Sequence, residues 1–302
     1  MREETRERLY HLLERRIAER RGAPSPQSYF ELVGLEVANL RRRYANQAPS
    51  SDYSDPLVRD AYLLAYVPHY IHTSSGALAE ISCNELISLS TPELSITSLG
   101  GGPLPEIVAI SDRLMRCGAA PVVNILNLDM NAANWAEATT DLKAIAQQIA
   151  PGIEFKITNE IYDCSAATAP DDFPKCDILL VQNCINEIAN AASLQVILEL
   201  EKTIRPGGFL IVSDFNEYYG TVSQIEQLEA LIDRLGHIRR TKFDKTRVEK
   251  SIFAPPAIPR LTYFSLFGYK RDQDTGERGF ADFRIPRSHL RFSNSITIKL
   301  SM

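Results

Sequence analysis

A β-branched run, Ser95-Ile96-Thr97-Ser98-Leu99, breaks off at Gly100-Gly101-Gly102 and passes through Pro103-Leu104-Pro105-Glu106 into an apolar helical pattern. A strand, a tight turn and a helix start therefore follow one another directly. Glycine lets the backbone turn sharply with no Cβ in the way, so a flat ligand can press on the main chain at the carboxyl end of a first parallel strand. The dinucleotide form of this turn needs a third small residue on the helix and free N–H groups to hold a pyrophosphate. The matching positions here are Gly100, Gly102 and Pro105, and Pro103 and Pro105 each remove a donor. The pattern favours a ligand without phosphates. A glycine turn that holds no ligand is the plainer alternative.

The apolar run Val122 to Leu128 ends at Asp129, close to the ~20-residue offset at which a doubly wound fold supplies an acid to a ribose. An ionised carboxylate accepts from both ribose hydroxyls through charge-assisted bonds. Capping a helix over Asn131 to Ala150 is its competing use. A third strand, Glu154 to Thr158, leads to Asp163-Cys164, where Asp163 also suits a turn bonded to its own backbone. Cys176 to Val181 reads as a fourth strand covered on both faces and ends at Gln182-Asn183. Asn186 and Glu187 beyond it suit an acceptor or a proton, or equally a helix cap. A helix over Ala191 to Thr203, the turn Pro206-Gly207-Gly208 and an apolar strand Phe209 to Asp214 come next. Ile225, Leu228, Leu231, Ile232 and Leu235 then keep helical spacing. Leu261 to Tyr269 and Ser293 to Leu300 read as strands, the last alternating Ile296, Ile298 and Leu300.

The glycine turn, Asp129, the Asp177 strand and the Pro-Gly-Gly turn arrive in an order that resembles the class I, Rossmann-like S-adenosylmethionine-dependent methyltransferases, over roughly Ser95 to Leu300. The resemblance implies an α/β fold: a doubly wound, seven-stranded, mostly parallel sheet in residues 93–302, behind an N-terminal helical cap in residues 1–92. It implies S-adenosylmethionine as cofactor, held by Leu99, Gly100, Gly101, Gly102, Pro103, Asp129 and Met130, with Asp163 and Cys164 at the adenine and Asn183 beside the methyl group. Asn183 lacks the two prolines and the aromatic that follow this position in enzymes acting on exocyclic amino groups, which counts against such an acceptor. The form Gly-Pro-Leu-Pro also looks like the turn of nicotianamine synthases, which transfer the aminocarboxypropyl arm of the same cofactor. A non-catalytic cofactor-binding or assembly protein is a further alternative.

Ahead of the sheet, Arg2 to Arg21 carries the stripe Leu9, Leu12, Leu13 and Ile17, and Ser28 to Tyr44, Leu57 to Ile71 and Gly76 to Ser90 read as further helices. Tyr62, Tyr66 and Tyr70 recur every four residues on one face. Such a stripe packs into a core first; the Tyr66 hydroxyl is the one assigned to the cofactor. His69 and His72 are candidate general bases, or surface and capping residues.

At 302 residues, 44% hydrophobic and 24% charged, the chain has the composition of a globular protein, and its N-terminus lacks the apolar run of a secretion signal. Its five cysteines show no paired metal spacing, so no metal site is expected, and reduced thiols in a cytoplasmic protein are the default. The net charge of −5 is uneven: +3 for residues 1–50, −17 for 51–233 and +9 for 234–302. Aromatics such as Phe243, Tyr263, Phe283 and Phe292 are interspersed in the basic part, which suits RNA as partner; a small-molecule acceptor, with the basic flank merely balancing an acidic domain, is the alternative.

Overall fold

The computed structural model describes residues 3–22, 26–45, 51–119, 121–164, 173–182, 184, 191–215, 238–247, 270–271, 278–279 and 292–300. The chain divides into two compact units, Met1–His69 with Glu249–His289 and Tyr70–Val248 with Leu290–Met302. No helix among the described residues is long and apolar enough to cross a membrane.

The first unit is built on α1 (Glu3–Arg21), α2 (Pro26–Ala45) and α3 (Pro56–Ala65). Leu9, Leu13 and Ile17 on α1 and Phe30, Val33, Val37 and Leu40 on α2 are buried, the three-to-four spacing of a single apolar face. Each fully buried side chain of this size contributes roughly 1.5–3 kcal/mol. α3 starts where its sequence dictates: Asp55 accepts from the Leu57 amide at 2.8 Å, and Pro56 occupies the first turn, where its missing N–H costs nothing. The fully buried Asp60 on α3 accepts from Arg20 Nη2 at 2.5 Å, Arg21 Nε at 2.8 Å and the Tyr29 hydroxyl at 2.5 Å, tying the three helices together.

The helix expected over Leu57 to Ile71 is in fact two. α3 ends at Ala65 and α4 spans Val67–Leu78, because Pro68 has no N–H to donate and its ring crowds the carbonyl four residues back. The expected helix over Gly76 to Ser90 is corrected likewise: Gly76 lies inside α4, and α5 (Cys83–Leu89) opens on a capping box between Ser82 and Glu85.

In the second unit β1 (Glu93–Leu99), β2 (Val122–Asp129), β3 (Glu154–Ile161), β4 (Cys176–Gln182) and β5 (Ile204–Phe215) pair in parallel in the order β3-β2-β1-β4-β5. This is the doubly wound arrangement that the sequence implied. Beyond β5 the backbone adds β9 (Phe292–Leu300), antiparallel to β5, and β6 (Ile238–Arg247), antiparallel to β9; β7 (Lys270–Arg271) and β8 (Arg278–Gly279) form a separate pair. Every residue of β4 is buried, as expected of a strand covered on both faces. On one face Leu179, Val181, Leu210 and Val212 pack with Val196, Ile197 and Leu200 of α8 (Ala191–Glu201). The crossovers β1 to β2 and β2 to β3 run through α6 (Glu106–Arg116) and α7 (Ala136–Ile149). Pro206-Gly207-Gly208 lies inside β5, beside a register shift between Cys176 and Ile178. The helix expected at Ile225 to Leu235 and the strand expected at Leu261 to Tyr269 lie outside the described residues.

The expectation of five reduced cysteines is overturned by a disulfide between Cys83 on α5 and Cys117 at the end of α6. Their Cα atoms are 5.1 Å apart, within disulfide reach, although the residues are 34 positions apart in sequence. Cys164, Cys176 and Cys184 take no part in a disulfide. The inference from reduced thiols to a cytoplasmic location loses its footing with this pair.

Candidate cofactor-binding site

The strand order reverses between β1 and β4, and an open α/β sheet binds its ligands in the crevice outside the carboxyl ends at such a point. Both strand ends are visible there. Gly100 follows β1 at φ 66°, and a Cβ on it would lie 2.6 Å from Cys184 Cβ just past β4. Cys184 Sγ in turn donates to the Leu99 carbonyl at 3.4 Å. The end of β4 is thus packed on the glycine turn with no room for a side chain between them.

Under the turn lies a row of polar side chains. A Cβ on Gly101 would come within 2.5 Å of Asn127 Oδ1 and 2.6 Å of Ser98 Oγ, two buried atoms without a hydrogen-bond partner. Asn127 Nδ2 donates to the Gly102 carbonyl and to Asn159 Oδ1, each at 3.0 Å. The Gly102 amide donates to Asp129 Oδ2 at 2.9 Å, and the Asn131 amide to Asp129 Oδ1 at 2.7 Å. Asn127 and Asp129, two apart on β2, share one face of the sheet and hold both backbone groups of Gly102. The Asp129 carboxylate closes the turn after β2 and leaves α7 to start later, at Ala136, so it is not that helix's cap. Burial pushes the Asp129 carboxyl above its ordinary range, and the two amides pull it back.

The remaining amides of the turn are also largely committed. Gly100 donates to the Leu128 carbonyl at 2.8 Å and Leu104 to the Gly101 carbonyl at 2.8 Å, while Pro103 and Pro105 have nothing to donate. Leu104, wedged between the prolines, holds φ 64°, a left-handed conformation that costs a bulky residue on the order of 1–3 kcal/mol and concentrates at ligand clamps. At the first position of α6 stands Glu106, 2% exposed, whose Oε2 has no hydrogen-bond partner. Burial above all, with the charge of Asp129 adding, pushes its carboxyl up to about 8 against the pull of its own backbone amide.

The structure brings Leu99, Gly100, Gly101, Gly102, Pro103 and Asp129 together around this crevice. Met130 stands beside them, largely exposed, with Ile161 opposite Asp129 across the β2–β3 ladder and also exposed. The Tyr162 amide donates to the Asp129 carbonyl at 3.2 Å, and its ring packs on Phe173. Cys164 and Tyr162 pack against the core cluster that includes Leu99, Leu128 and Cys184, while the side chain of Asp163 is exposed. Tyr66 belongs to the other unit, where it is buried with its ring centroid 5.2 Å from that of Tyr62. The backbone of His69 lies on α4; its side chain, and all of Asn183, Asn186 and Glu187, lie outside the described residues.

Glu106, Asn127 and Cys184 were not singled out from the sequence. Asn127 carries a signal, a polar residue inside an apolar strand and two before the acid. Trp135, whose indole comes within 3.7 Å of where a Gly102 side chain would start, has no such signal.

No family model matches the chain, and no curated protein sequence matches it. Among solved structures it is similar to an O-methyltransferase family protein of Burkholderia thailandensis, at 15% identity and a TM-score of 0.44 over 89% of this chain and 71% of that one. It is similar as well to the CMeT domain of the citrinin polyketide synthase, at 18% identity and 0.44 over 81% of this chain and 56% of that one. A third likeness is to phosphoethanolamine N-methyltransferase 2 of Haemonchus contortus, held with phosphomonomethylethanolamine and S-adenosylhomocysteine, at 12% identity and 0.41 over 84% of this chain and 61% of that one. The chain thus spans less than two thirds of the latter two. The first and third of these are described as methyltransferases.

Proposed function

We propose that the crevice between β1 and β4 binds S-adenosylmethionine and that the protein is a methyltransferase using it. The observation that carries this reading is the bond from the Gly102 amide to Asp129, with the Gly100 and Leu104 amides also committed to backbone carbonyls. A pyrophosphate needs free N–H donors at the helix start. Here the helix start offers prolines, committed amides and two acids, Asp129 and Glu106, in place of the donors a phosphate needs. An adenosine without phosphates has no such need. The bare glycine backbone admits a flat ligand, and each Asp129 oxygen keeps a lone pair for a ribose hydroxyl beyond the amide it already accepts.

When bound, S-adenosylmethionine supplies an electrophilic methyl on a sulfonium sulfur. The work of the chain is to hold that methyl in line with an acceptor, an effect worth up to roughly 7–11 kcal/mol in well-oriented models. The fixed turn, latched by Asn127 and Asp129, is suited to this because it has little freedom left to lose on binding. Asn183 is proposed beside the methyl, with Asn186 and Glu187 as candidates to orient the acceptor or take its proton. Met130 and Cys164 are proposed to line the adenosine, with Asp163 at the adenine amino group. The acceptor is a small molecule or RNA. For RNA, binding falls steeply with salt as counterions are released; for a small molecule it does not.

Asp129→Ala is expected to weaken S-adenosylhomocysteine binding by about tenfold or more in calorimetry, with the fold retained, because two hydroxyls lose a charged acceptor. Unchanged affinity removes Asp129 from the ribose. Incubation with the methyl-labelled cofactor and fractionated cell pools separates the chemistries: methyl transfer labels the acceptor and releases S-adenosylhomocysteine, whereas aminocarboxypropyl transfer leaves the label on methylthioadenosine.

A further inference from the structure

Glu106 is the least expected group at this site. A glutamate in the first turn of a helix is ordinarily solvated and complements the helix dipole from outside. This one is 2% exposed, and its Oε2 has no hydrogen-bond partner among the described residues. A buried carboxylate without a partner costs far more than a hydrogen bond repays, so such groups are rare unless something else completes them.

Its setting narrows what completes it. Helical side chains lean back towards the N-terminus, which for the first residue of α6 is the glycine turn. The negative field that reaches it comes from Asp129 on β2, the latch of the same turn. The strand leading in supplies no cation, since Thr97 and Ser98 are neutral and buried. Two acids with no base between them among the described residues disfavour an anion and favour a cation. An oxygen short of a hydrogen bond asks for more than charge: it asks for a donor. A sulfonium has a positive charge and no hydrogen to give, whereas an ammonium has both.

The geometry points to Glu106 as the residue that recognises the ammonium of the amino-acid tail of the nucleoside bound in this crevice. This rests on the reading of the crevice as a site for S-adenosylmethionine. It makes Glu106 a specificity residue that separates nucleosides carrying an α-amino group from those that end at the thioether.

Two probes differing in that tail test it: S-adenosylhomocysteine, which carries the ammonium, and 5′-methylthioadenosine, which does not. Calorimetric titration of the full chain is expected to show that Glu106→Gln, nearly the same in shape, weakens S-adenosylhomocysteine by about tenfold or more. Methylthioadenosine is expected to keep its affinity within about twofold, which also shows that the variant is folded at the site. Equal loss for both ligands, or loss for neither, overturns the assignment while the cofactor reading stands. Wild-type protein that binds neither ligand overturns both.

Discussion

Asp60 and Glu106 are both buried acids, and the molecule treats them in opposite ways. Asp60 is fully buried among the helices of the first unit and accepts from two arginines and a tyrosine hydroxyl, which burial and that bond push above its ordinary range. Glu106, at the crevice of the second unit, is almost as deeply buried and has one oxygen without a hydrogen-bond partner among the described residues. A charge buried for the sake of folding is surrounded by partners from several helices, whereas Glu106, buried without them, keeps its proton at neutral pH. The contrast sets a structural acid, Asp60, beside the one proposed above to meet a ligand.

Asp60→Ala breaks the structural side of the contrast most severely. It strands two partly buried guanidiniums and a hydroxyl, and the loss expected in urea unfolding is about 3–5 kcal/mol. A loss within about 0.5 kcal/mol, as for ordinary surface substitutions, would place the cluster outside the stabilising core.

Glu106→Gln sharpens the other side through pH. The folded carboxyl keeps its proton up to about 8, while the unfolded one ionises near 4.3. A raised folded value means stability that is fully present below about pH 4.3 and lost as pH climbs towards 8, at roughly 1.4 kcal/mol per pH unit. The variant lacks this dependence, so its stability relative to wild type should rise by on the order of 3 kcal/mol between pH 5 and pH 8. Parallel pH profiles for the two proteins would show that Glu106 has its proton partners already.

Gly101→Ala is the mildest. Its Cβ would meet Asn127 Oδ1, Ser98 Oγ and Leu104 Cδ2 at 2.5–2.9 Å, and overpacking of this kind costs about 1–3 kcal/mol. Because Asn127 is also the anchor of the Gly102 carbonyl, nucleoside affinity should fall together with thermal stability. A variant as stable as wild type with unaltered binding would mean that the polar row gives way freely.

The same contrast explains what was readable in the sequence. The glycine turn, Asp129 and the buried strand β4 were legible because residue type alone carries their meaning: a break in a β-branched run, an acid at a strand end, an unbroken apolar stretch. β3 runs three residues past its expected end at Thr158, since Asn159, Glu160 and Ile161 are exposed and read as loop, yet pairing with Asn127 through Asp129 extends the ladder. Pro68 marks the split between α3 and α4, but the apolar run on both sides of it reads as one helix. Burial of Glu106 and the pairing of Cys83 with Cys117 depend on how distant segments meet, and a single chain of letters carries no local mark of either.

The most direct measurement is the crystal structure of the protein grown with S-adenosylhomocysteine. The account predicts the adenosine lying over Gly100 to Gly102, with its ribose hydroxyls on Asp129 and the ammonium of its tail on Glu106. A nicotinamide or flavin dinucleotide retained in that crevice, or S-adenosylhomocysteine bound elsewhere with the crevice closed, would contradict it.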